Sequence, residues 1–157
     1  MSDPKYKTIL DTIAAGLSTI SSTGGYNNTV KKVFRTSQNV LEIPGSSLPC
    51  IVLLHGSETV EDETSLSHAA TLDIPLFGVV SAPANTADSA ASVNRVFSLS
   101  KDVRDWFDTG DNYHLGLDYV SRARLQNLRP FVVPGSENRP FFTGRIIVEY
   151  YYDKGSA

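Results

Sequence analysis

The C-terminal stretch FFTGRIIVEYYYD, Phe141 to Asp153, constrains the fold more than any other part of the chain. It is dense in β-branched and aromatic residues, has no proline after Pro140, and reads as a long strand. Alternation places Phe142, Gly144, Ile146, Val148, Tyr150 and Tyr152 on one face. Thr143, Arg145, Ile147, Glu149, Tyr151 and Asp153 take the other. Both faces carry large apolar or aromatic groups, yet Arg145, Glu149 and Asp153 recur every fourth residue on the second. Such a strand needs cover on one side and a partner surface on the other.

The rest of the chain supplies the cover. After Asp3-Pro4, a helix start with Asp3 as cap, Tyr6, Ile9, Leu10, Ile13, Leu17 and Ile20 form one stripe at helical spacing. This helix is expected to end in SSTGG, at Gly24 and Gly25. TVKKVFRT reads as a moderately exposed strand, and Asn39 to Leu48, broken by Pro44 and Gly45, as a loop. Pro49 to Gly56 (PCIVLLHG) is a continuous apolar run, expected to be covered on both faces. Glu58, Glu61, Asp62 and Glu63 form an acidic loop or, equally, the tip of a long hairpin. SHAATLDIPLFGVVS follows as a long strand in which Pro75 marks an edge position or a bulge.

Asn85 to Asp108 is the second helix, capped by Asn85 or Thr86. Its apolar side carries Val93, Val96, Phe97, Leu99, Val103, Trp106 and Phe107, and Asp102 falls on the polar side. YVSRARLQNL, Tyr119 to Leu128, alternates again, with Arg122, Arg124 and Gln126 away from the core. The fold class expected for the single domain 1–157 is α+β. Two amphipathic helices pack on one face of a mostly antiparallel β-sheet with a long hairpin.

Composition narrows the function. Hydrophobic residues make up 41% and charged residues 20%, so the 157 residues can build one ordinary core. The net charge of -3 opposes sequence-independent nucleic-acid binding, which needs a basic field. One cysteine, Cys50, lies in an apolar run and reads as a buried, inert thiol. The polar opening SDPKYK is unlike a secretory leader, and no run approaches the ~18 apolar residues of a membrane span. A soluble protein made in a reducing cytosol is expected.

Catalytic and metal signatures are missing. There is no G-x-S-x-G, no phosphate-binding glycine loop and no oriented base beside Ser57, Ser67, His55, His68 or His114. The acidic segment with His68 lacks the alternating oxygen ligands and central glycine of a calcium loop. No catalytic residue, cofactor or metal is assigned. The acidic residues instead suit docking on a basic face of a neighbouring copy, built from Arg122 and Arg124 with Arg129 and Arg139. Tyr151, on the second face of the last strand, is a further interface candidate.

In layout the chain resembles the tail terminator (tail completion) proteins of long-tailed bacteriophages. The resemblance runs from the opening helix, Lys5 to Ile20, through LPCIVLLHGSE, TLDIPLFGVV and NRVFSLSKDVRDWF, to SRARLQNLRP and FTGRIIVEYYY. It implies a non-enzymatic virion protein, assembled in the host cytoplasm. Such a protein forms a ring, usually hexameric, at the head-proximal end of the tail tube. The ring stops tube growth and meets the head-tail connector or neck protein. A sheath protein is a further implied partner, and nucleic acid only passes through the ring. The alternatives are another neck, tube or baseplate adaptor of the same machine, or a small-molecule-binding α+β domain.

Overall fold

In the computed structural model, residues 3–62, 66–82, 89–133, 136 and 138–153 are described. They form an α+β fold of two helices and a mixed six-stranded sheet. The elements are α1 (Lys5–Leu17), β1 (Lys32–Phe34), β2 (Cys50–Leu53), β3 (Ser57–Asp62), β4 (Ser67–Val79), α2 (Ser89–Asp108), β5 (Val120–Phe131) and β6 (Phe141–Asp153). The sheet order is β1-β2-β4-β6-β5, and β3 also pairs with β4. Only β1 and β2 run parallel.

β4 and β6 are the spine, paired over their full length from Ser67↔Asp153 to Val79↔Phe141. Their alternation sends Leu72, Ile74 and Leu76 of β4, with Ile146, Val148 and Tyr150 of β6, to one face. There they meet Ile9, Ile13 and Leu17 of α1 and Val96, Leu99, Val103 and Trp106 of α2. Burying each such side chain contributes roughly 1.5–3 kcal/mol, which makes this layer the main source of stability.

β2 and β3 lie end to end along one side of β4. Between them the register slips by one residue, so Leu54, His55 and Gly56 stand opposite Ile74 and Pro75. The slip is a bulge at the position where Pro75 lacks an N–H, and Leu54 donates to the Pro75 carbonyl at 3.1 Å.

Several local expectations are corrected. Asp3 does not cap α1: Pro4 holds that position without a side-chain bond, and Asp3 instead accepts from Lys7 Nζ at 2.9 Å. The helix stops at Leu17, well before Gly24-Gly25, because Ser22–Gly24 turns into a separate 3-10 turn closed by Gly25 at φ 95°. Tyr6 and Phe97 are about half exposed, at the rims of their helical stripes. The expected caps Asn85 and Thr86 lie outside the described residues. The segment after β1 is more than a connection: two 3-10 turns, Val40–Glu42 and Gly45–Ser47, fold over the second face of the sheet. Ile43 and Leu48 there join Cys50, Val52 and Val79 in a second, smaller core.

Candidate functional site

Among the described residues, the second sheet face is covered only at its β1-β2 end, by that flap. Across β5, β6 and β4 it stays open. Residues directly opposite in a sheet share a face, so the pairing maps this surface row by row. One row is Arg122, Glu149 and Thr71; the next is Arg124, Ile147 and Asp73; the next is Gln126, Arg145 and Pro75. Arg129, Thr143 and Phe77 follow, and Tyr151 stands beside Ala69 at the other end.

Two ion pairs run diagonally over this surface. Arg145 grips Asp73 with two nitrogens, at 2.9 and 2.7 Å. Arg124 lies 3.9 Å from Glu149. At such exposed sites each pair contributes at most about 1 kcal/mol, so their effect is to hold side chains in place around Ile147 rather than to stabilise the fold. Among the described residues, Arg122 and Arg129 have no carboxylate partner. Tyr151, 44% exposed, adds an aromatic patch.

The acidic segment is neither a loop nor a single patch. Ser57–Asp62 is strand β3, hydrogen-bonded to β4 from Ser57↔Asp73 to Asp62↔His68. Alternation therefore separates its charges. Glu58 lies opposite Leu72, on the helix-bearing side, while Glu61 lies opposite Ala69, on the open face. Ser57 to Glu61 are all exposed, on both sides of the strand. Asp62 ends the strand, and Glu63 lies outside the described residues.

The four arginines also divide. Arg122, Arg124 and Arg129 share the open face. Arg139 does not belong to it: its guanidinium donates to the carbonyls of Val40 and Ile43 and clasps the flap. These bonds hold it against the flap, apart from the other three arginines.

A concavity of about 700 Å³ opens where β5 breaks register between Gln126 and Arg129. Asn127 takes φ 56° there, and Leu76, Leu128, Arg129, Gly144 and Arg145 are among the lining residues. No group of three or more His, Cys, Asp or Glu able to hold a metal occurs among the described residues. No described helix is long and apolar enough to cross a membrane. Cys50 is fully buried, and burial pushes its thiol up to about 11.

Periodicity misplaced one carboxylate. Asp102, assigned to the polar side of α2, is 1% exposed. It accepts from the backbone N–H and the side-chain amide of both Asn27 and Asn28, at 2.8–3.1 Å. The only local signal was the Asn-Asn pair itself, since a turn rich in amide donors needs an acceptor.

No protein-family model matches the chain, and no curated protein matches it at a significant level.

Proposed function

We propose that this protein is a structural ring component of a bacteriophage tail, of the terminator kind, acting through surfaces rather than through a reactive site. The observation that carries the reading is the uncovered β4-β6-β5 face, where Ile147 and Tyr151 sit among braced charges. A 13-residue strand such as β6, sealed by helices on one side only, leaves a broad patterned surface that suits a neighbouring subunit. The likeness of layout to tail terminator proteins supplies the setting. A ring of copies caps the head-proximal end of the tail tube, ends its growth and meets the connector.

Electron microscopy of phage tails assembled without this protein tests the reading. Overlong tails, or tails without heads, are expected. Tails of normal length carrying heads would overturn it. Light scattering at several protein concentrations gives a second test, with a closed oligomer as the expected species.

A further inference from the structure

We infer that successive copies join edge to edge, with β3 of one copy adding to β5 of the next, so that the sheet runs on between subunits. This deepens the ring reading and rests on it.

Both strands are edges among the described residues: β3 pairs only with β4, and β5 only with β6. An edge presents a row of unpaired N–H and C=O groups, a template for another strand. The usable lengths agree. β3 pairs without a break over Ser57–Asp62, and β5 is regular over Arg122–Gln126 between its two bulges. The described backbone makes no other hydrogen bond with either stretch.

Direction and facing also agree. Within one subunit β3 runs opposite to β5, since each strand in the order β3-β4-β6-β5 is antiparallel to the next. Copies related by rotation about a ring axis keep their strand directions, so β3 meets β5 antiparallel. With the open faces flush, Glu61 comes level with Arg122 and Arg124. On the other side Val60, 42% exposed, comes level with Ala123 and Leu125.

Charge selects this pairing over its rivals. Two β3 edges would give Glu58 and Glu61 no basic partner, since Ser57–Asp62 carries none. Two β5 edges with their open faces flush would set Arg122 against Arg124. Like charges facing across strands are destabilising, so charge complementarity favours the head-to-tail contact. The occupant of each edge is thus a second copy of this chain.

Cysteine cross-linking with Ser57→Cys on β3 and Gln126→Cys on β5 tests the inference. A bismaleimide of about 10 Å reach tolerates a register offset of two residues or so. Cys50, buried in the flap core, stays silent. A mixture of the two single variants is expected to yield a cross-linked dimer and either alone none, while the double variant gives a ladder. Glu61→Lys and Arg122→Glu should each weaken assembly tenfold or more, and together restore it. Oligomers that form without cross-links would overturn the edge pairing and leave the ring reading standing. A monomer at every concentration would overturn both.

Discussion

Asp102 on α2 and Asn28 in the turn before β1 are joined by two hydrogen bonds of 2.8 Å, one from the backbone N–H and one from the side-chain amide. With the two from Asn27, they tie the start of the sheet to the middle of the second helix. Asp102→Ala would leave all four donors without their shared acceptor. A loss of about 3 kcal/mol is expected in urea denaturation, since bonds to a charged acceptor are among the stronger ones. Asp102→Asn should recover only part of it, because its amide nitrogen turns a donor toward donors.

Gly16 of α1 lies against the indole of Trp106, and a Cβ built there overlaps the six-membered ring. The helices approach this closely because Gly16 has no side chain. Gly16→Ala should cost about 1–3 kcal/mol through overpacking. Trp106 is the sole tryptophan, so its fluorescence reports the displacement directly. An unchanged emission maximum with unchanged stability would contradict the packing described.

Cys50 makes an alkaline prediction. Burial holds its folded thiol at about 11, above the ordinary 9.0. Between these values the unfolded chain releases a proton that the folded chain keeps, so stability falls as pH rises. The full effect is about 2–3 kcal/mol, complete below pH 9 and gone above 11. Denaturation at pH 8 and pH 11 should show it in the native protein and lack it in Cys50→Ala.

Arg139→Ala releases the clasp on Val40 and Ile43. The flap over the second core should loosen while the helix-bearing core stays intact. Maleimide labelling of Cys50 is the readout, and it should accelerate at least tenfold at a urea concentration well below global unfolding.

The basic face is expected to be unequal. Arg124 is beside Glu149, whereas Arg122 has no carboxylate partner among the described residues. Reversing Arg122 alone should therefore weaken self-association more than reversing Arg124 alone. Both should leave the melting temperature within a few degrees. Equal effects on assembly would show that the Arg124 pair opens on contact.

The chain by itself determined both helices and the long strands β4 and β6, with most of the inward face of each. Period-two alternation in 141–153 and 72–80, and 3.6-residue spacing in both helices, identify most of the main core. These signals suffice because a side chain's direction along its own strand or helix is a local property. Tertiary structure alone decided which elements became neighbours. Pairing with β4 turned an acidic run into a strand and sent Glu58 and Glu61 to opposite faces. Packing of α2 on the Asn27-Asn28 turn buried Asp102, and a chain reversal after β1 set Ile43 and Leu48 over Cys50. Each of these rests on contacts between residues distant in the chain, which leave no periodic mark on either partner.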